Sequence, residues 1–175
     1  YTHISAWLPH GTSMETTAHP YTGLKPKFTQ FRADTLFDQP LDQLRTADLK
    51  SYFELYNIGW IIVYSQSARA YFDSIPEIEP LIVSPTANLY GTQVKNSLCY
   101  KGSADIDATY NQFIVNNCIS DTLILKYHYF KYLKVFPNSV LIDGVYLQND
   151  PVPFIRLINV NGTCTVTFQQ VGFIL

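Results

Sequence analysis

The side chains best suited to chemistry stand close to the start of the chain. His10, Glu15 and His19 fall within ten residues, and imidazole with carboxylate is a common zinc-ligand set. The spacing H-x4-E-x3-H matches no metal motif, and Pro9, Gly11 and Pro20 deny the segment a helix that would set ligand geometry. No metal is therefore expected. With Trp7, these three are candidate ligand-binding residues of a long loop, since long ordered loops often carry function. A hydrolase centred on His10, Glu15 and His19 is the alternative.

Other constellations have structural readings beside the chemical ones. Asp105-Ile-Asp107 could hold a divalent cation against a diphosphate, but reads as solvated turn carboxylates. Glu77 and Glu79, between Pro76 and Pro80, could act as acid and base across a glycosidic bond, but read as the exposed side of a short strand. Ser65 and Ser67 follow an apolar run and precede a helical pattern. The residues are Val63-Tyr-Ser-Gln-Ser67, without the G-x-S-x-G of a nucleophile elbow, so a helix cap is expected. No glycine-rich phosphate loop follows a strand. His128 could serve as a general base or pair across a sheet. Its neighbours Tyr127 and Tyr129 point to the opposite face of a regular strand, where they could stack on a sugar, fill a core or rest on a partner. Arg156 is expected in a structural ion pair with Asp143 or Asp150. Cys99, Cys118 and Cys164 match no zinc spacing and read as small buried hydrophobes, with one disulfide as the alternative.

The elements that would position these groups fall into two stretches. Residues 1–40 are punctuated by prolines and threaded with aromatics, as in a loop that packs down by its rings. Thr46 is expected to cap a helix whose Leu49, Tyr52, Phe53 and Tyr56 form one apolar stripe, closed by Asn57 in the left-handed conformation. Trp60-Ile-Ile-Val-Tyr64 reads as a strand buried on both faces. A second helix, 68–74, and short strands at 78–83 and 88–93 follow. A boundary is placed at 95/96. Beyond it, 109–117, 122–130, 140–147, 153–160 and 163–169 read as strands of an antiparallel sandwich, with Asn161-Gly162 as a type I′ hairpin turn. The expected fold class is α+β. A small α/β unit (helix-strand-helix-strand, 1–95) packs on an antiparallel, jelly-roll-like β-sandwich (96–175).

Only 15% of residues are charged and the net charge is −2, with no cluster of Lys and Arg. Nucleic acid is thereby excluded as a partner, because phosphate neutralisation needs grouped cations. The longest apolar run, 58–64, is far shorter than the roughly 20 residues that cross a bilayer. The chain opens on Tyr1-Thr-His-Ile without an initiator Met, so an origin within a longer protein is expected.

Three groups of residues carry a family resemblance. They are Trp7-Leu-Pro-His-Gly11 through Glu15, His19-Pro20 and Phe28-Thr-Gln-Phe31; Leu49-x2-Tyr52-x3-Tyr56-Asn57-Ile-x-Trp60-Ile-Ile-Val63; and Leu125-Lys-Tyr-His-Tyr129 with Asp150-Pro-Val-Pro-Phe-Ile-Arg156. Together they resemble the soluble extracytoplasmic C-terminal portion of bacterial multi-spanning membrane proteins related to C-type glycosyltransferases. In such proteins the catalytic acids lie in loops between early membrane helices, so the resemblance places no catalytic residue in this chain. It implies an accessory, non-catalytic domain on the extracytoplasmic face of the membrane. Its partners would be the transmembrane part of the same polypeptide and a carbohydrate, such as a lipid-linked sugar or its acceptor. No cofactor is implied. A stand-alone carbohydrate-binding module using Tyr127 and Tyr129 is the other reading.

Overall fold

The computed structural model describes residues 35–37, 39–95, 97–109 and 112–168. The chain divides into two compact units after Lys95. The described residues are mostly antiparallel β-sheet strands, with two α-helices among them.

The first unit begins with a two-residue ladder, β1 (Thr35–Leu36) against β2 (Gln39–Pro40), and a 3-10 turn at Leu41–Gln43. Helix α1 spans Thr46–Leu55. Its N-cap is Arg45 rather than Thr46, and no side chain caps it. Instead, Asp48 in the first turn accepts two hydrogen bonds from the Arg45 guanidinium, at 2.7 and 2.9 Å. The stripe Leu49, Tyr52 and Phe53 is buried. Phe37 stacks on Tyr52 and Tyr56 at centroid distances of 4.4 and 5.4 Å. Asn57, at φ 55°, ends the helix in the left-handed region that asparagine tolerates.

Strands β3 (Trp60–Val63), β4 (Glu79–Val83) and β5 (Asn88–Gly91) form an antiparallel sheet in the order β3-β5-β4. β3 alternates between buried Ile61 and Val63 and half-buried Trp60 and Ile62. Among the described residues it is an edge strand with one face half-buried, not the doubly buried strand expected from its unbroken apolar run. Helix α2 (Gln66–Asp73) is capped by Ser65, whose hydroxyl accepts the Ala68 N–H at 3.2 Å. Ala68 and Phe72 are its buried residues. The Arg69 guanidinium donates to the carbonyls of Tyr64, Ser84, Pro85 and Thr86, and so fixes the β4–β5 turn. Tyr90, fully buried, donates to Asp73 Oδ1 at 2.8 Å and accepts from Asn88 Nδ2 at 3.0 Å.

The second unit is a β-sandwich. One sheet has the order β10-β13-β8-β7 and the other β11-β12-β9-β6. The strands are β6 (Cys99–Lys101), β7 (Asp105–Thr109), β8 (Gln112–Cys118), β9 (Thr122–His128), β10 (Leu133–Phe136), β11 (Leu141–Val145), β12 (Phe154–Ile158) and β13 (Gly162–Phe168). Period-two alternation sends Val115, Leu123, Leu125, Ile155, Leu157 and Val166 into one core between the sheets. Asn161-Gly162 is not a hairpin turn: β12 and β13 belong to different sheets, and the connection crosses between them. Its positive φ angles fall at Asn159 and Gly162, and Val160 plugs the core on the way across. Asp105 and Asp107 sit on strand β7 rather than in a turn. Both are exposed, and Asp105 Oδ2 accepts from Asn117 Nδ2 at 2.7 Å.

All three cysteines are free thiols, Cys118 and Cys164 buried and Cys99 half-buried. Burial pushes the Cys164 thiol up to about 11, with proximity to Cys118 adding to the rise, and burial also raises Cys99. Because the thiolate is the nucleophile, alkylation of the folded protein at pH 8 should be slow at every position. Cys99 should react first and Cys164 only on unfolding, as read by peptide mass mapping. Leu157→Ala, at a fully buried site, should lower stability to urea by about 2–5 kcal/mol.

Candidate functional site

The groups brought together most closely lie at one end of the sandwich, where β9 stops and β12 starts. β9 ends at His128 instead of continuing to Phe130. Residues 129–132 then form the loop into β10. His128 pairs in register with Phe154, and Phe154 with Val145, so the loop of residues 146–153 closes the same end. Leu133 pairs with Phe168, which brings the end of β13 there too.

The 146–153 loop is built by two successive local turns. Gln148 and Asn149 have φ of 48° and 64°, and the Asp150 N–H donates to the Leu147 carbonyl at 2.9 Å, the pattern of a type I′ turn. The Asp150 side chain then turns the chain again, its Oδ1 accepting the Val152 N–H at 2.8 Å. Its Oδ2 lies 2.9 Å from His128 Nε2. The Asp150 side chain is buried while the imidazole stays partly in water. The ring of Phe154 packs on that imidazole at 4.6 Å between centroids. Tyr129 donates its N–H to the Pro153 carbonyl at 2.7 Å, tying the two loops together. Gly144 makes the approach feasible: a Cβ there would stand 2.9 Å from both Pro153 Cβ and Tyr129 Cδ1.

Aromatic side chains project from this frame. Phe130 is 57% exposed, Tyr132 37% and Phe168 38%. Their ring centroids lie 6.3, 6.4 and 6.5 Å apart pairwise, within reach of edge-to-face and tilted contacts. Tyr146, at the opening of the other loop, is 67% exposed. The Lys131 ammonium sits 4.9 Å from the Tyr132 ring centroid, a cation–π contact.

Of the residues singled out from sequence, Trp7, His10, Glu15 and His19 lie outside the described residues. Tyr127 and Tyr129 are half-buried and pack against the sandwich core, Tyr127 with its ring 4.5 Å from that of Phe113. Of the readings open to them, core packing is the one their half-buried position matches. Phe130, Tyr132, Tyr146 and Phe168 were not singled out. The signal for the first two was the string Tyr127-His-Tyr-Phe-Lys-Tyr132, whose exposure depends on where β9 ends. Arg156 pairs with Asp143 in a bidentate bridge at 2.7 and 2.6 Å, and not with Asp150. Glu77 pairs with Lys50 at 2.8 Å while Glu79 begins β4, so the two glutamates do not act on one point.

Among the described residues, no group of three His, Cys, Asp or Glu side chains is placed to hold a metal ion. A pocket in the first unit, lined in part by Thr46, Lys50, Glu77 and Thr92, encloses about 180 Å³. That is well below the roughly 300–1,000 Å³ of ordinary ligand sites, and its Lys50–Glu77 charges are already paired. No helix among the described residues is long and apolar enough to cross a membrane. The chain matches no protein-family model, no curated protein and no solved structure.

Two outcomes follow from these charge pairs. Asp150→Ala removes hydrogen bonds to a charged acceptor and should cost about 1.5–3 kcal/mol in urea unfolding. Asp150→Asn, which keeps an oxygen for Val152, should cost less. The hydrogen bond from Arg156 holds the Asp143 carboxyl below its ordinary range. A depressed folded-state pKa contributes stability above the unfolded value, about 3.9, that is lost as pH falls through the folded one. Asp143→Asn should therefore be less stable than wild type at neutral pH, and the gap should close in thermal melts taken at successively lower pH below about 3.9.

Proposed function

We propose that the chain is a non-catalytic domain of a membrane glycosyltransferase-like protein. It lies on the extracytoplasmic face, packs on the membrane part of its own polypeptide, and contacts a lipid-linked sugar or its acceptor. The observation that carries this is the cluster Phe130, Tyr132 and Phe168, exposed and in mutual ring contact on a loop end whose polar frame is already satisfied. Sugar rings bind by laying their C–H faces on aromatic rings, with a few polar groups fixing orientation. Here Tyr132, Tyr146, Lys131 and the partly exposed edge of His128 supply those polar groups. The His128–Asp150 pair holds the imidazole in place and needs no nucleophile to account for it.

Packing against another protein surface is supported by β4. All five of its residues are exposed, and Leu81, Ile82 and Val83 form an apolar edge at 52%, 59% and 71% exposure. Pro80 and the bulge beside it limit backbone pairing at this edge, and the exposed apolar side chains mark an interaction surface. The sandwich is read more finely as jelly-roll-like. Its central pairs β8–β13 and β9–β12 are nested, with β8 to β9 and β12 to β13 each crossing between sheets. The first unit is read as a small α/β unit on the order α1-β3-α2-β4-β5.

The test is calorimetric titration of the chain with a panel of oligosaccharides. Binding is expected for at least one class and should weaken by about two- to tenfold in Tyr132→Ala, since a stacked ring is worth about 0.5–1.5 kcal/mol. A panel without heat, or full binding by Tyr132→Ala, would sink the sugar contact.

A further inference from the structure

We infer that the aromatic end of the sandwich seats on the surface of an anionic lipid bilayer. This rests on the reading of that end as the contact surface, and it names the second partner there. Three observations converge. First, the four most accessible rings of this end, on Phe130, Tyr132, Tyr146 and Phe168, come from two loops and a strand terminus that share one rim. Exposed Phe and Tyr beside one another are the composition of membrane–water interfaces, where an apolar body enters the headgroup layer and a hydroxyl stays wet.

Second, charge is segregated along the sandwich. Residues 122–142 contain Lys126, Lys131 and Lys134 and no acid. Lys131 and Lys134 are exposed at the aromatic end. Of the acids near that end, Asp150 is buried and bonded to His128, Asp143 is paired with Arg156, and exposed Asp107 lies at mid-strand on β7. The opposite end carries Asp105 and Asp121 with Lys101. An anionic surface therefore attracts one end in preference to the other. Third, the rim is rigid. The type I′ turn, the Asp150 contacts and the Tyr129–Pro153 bond fix both loops, so little ordering entropy is lost when the rings enter the interface.

Large apolar side chains are also exposed away from that rim, Ile119 and Leu141 at the opposite end and Phe136 midway along its sheet, opposite Thr165. The acids Asp105 and Asp121 accompany those of the opposite end. Phe136 thus supplies an internal control.

The experiment is co-sedimentation of the full chain with vesicles containing no glycolipid. One set is pure phosphatidylcholine and another includes phosphatidylglycerol. The chain should pellet with the anionic vesicles and at least about fivefold less with the neutral ones, since each lysine near an anionic surface contributes about a fivefold change. Lys131→Glu with Lys134→Glu should reduce pelleting by tenfold or more, and so should Phe130→Ser with Tyr132→Ser. Phe136→Ser should pellet like wild type. Circular dichroism melts would establish that each variant is folded, and the lysine variants are surface changes that leave the core untouched. Absence of wild-type pelleting on anionic vesicles, wild-type levels of pelleting by either double variant, or an equal loss in Phe136→Ser would overturn the inference. Sugar titrations contain no lipid and these vesicles contain no sugar. Loss of one form of binding therefore leaves the other to be judged by itself.

Discussion

A carboxylate withdrawn from water organises the aromatic end of the sandwich. Asp150 is 3% exposed, and an ionised carboxyl so placed is costly unless its oxygens are bonded. Both are: one to His128 Nε2, the other to the Val152 N–H. Satisfying them dictates the backbone. The chain must double back at Gln148 and Asn149, two residues in the left-handed region, and must turn again within two residues. That path delivers the Pro153 carbonyl to the Tyr129 N–H. The β9–β10 loop is thereby held, and with it Phe130 and Tyr132. The rings are exposed because the strand stops at His128, and their position is fixed by contacts that the Asp150 frame sets.

The same frame shows how a His–Asp pair can be structural. A buried aspartate behind a partly exposed histidine is the orienting half of many catalytic sites. Here the imidazole is pressed on by the Phe154 ring, and its carboxylate partner also serves as the acceptor that closes a turn. The pair lies at a loop junction whose neighbours are aromatic, proline and glycine. Its physical work is to bring two loops into register, which a binding surface needs as much as a catalytic one does.

Much of the local structure was legible because it depends on a few neighbours. Ser65 caps α2 and Asn57 ends α1 through interactions spanning only a few residues. The alternation of β9, β12 and β13 appears in the buried Leu123, Leu125, Ile155, Leu157 and Val166. What escaped depended on distant partners. Trp60-Ile-Ile-Val63 has the composition of a central strand, but burial is decided by how many strands flank it, and among the described residues β5 is its one neighbour. Asn161-Gly162 has the chemistry of a hairpin, but a glycine at φ 86° serves equally well where a chain leaves one sheet for another. Strand length was misjudged at β9 because Tyr129 and Phe130 carry strong β propensity, while Tyr129 bonds Pro153 in the neighbouring loop. That two-residue difference moves the exposed ring: Phe130, counted within the strand, projects from a loop, while Tyr127 and Tyr129 pack on the core, one of the readings open to them.

Function and stability make opposite demands on such an end. Rings left in water cost solubility, and a domain that keeps four of them exposed on a rigid rim forgoes burial it could otherwise have had. The sandwich core has no need of them, since Leu123, Leu125, Ile155 and Leu157 already close it with essentially no exposure. Stability therefore does not account for Phe130 and Tyr146 pointing outward. On the proposal made above, another phase or molecule covers them. The lysines on the same rim and the paired state of Asp150 give that covering surface its sign: it should be negative, or at least indifferent to positive charge. The exposed β4 edge in the first unit imposes a different requirement, an apolar strand or flat protein face. Two surfaces of unlike chemistry, one on each unit, are what a domain needs if it is to rest on one neighbour while presenting its loops to another.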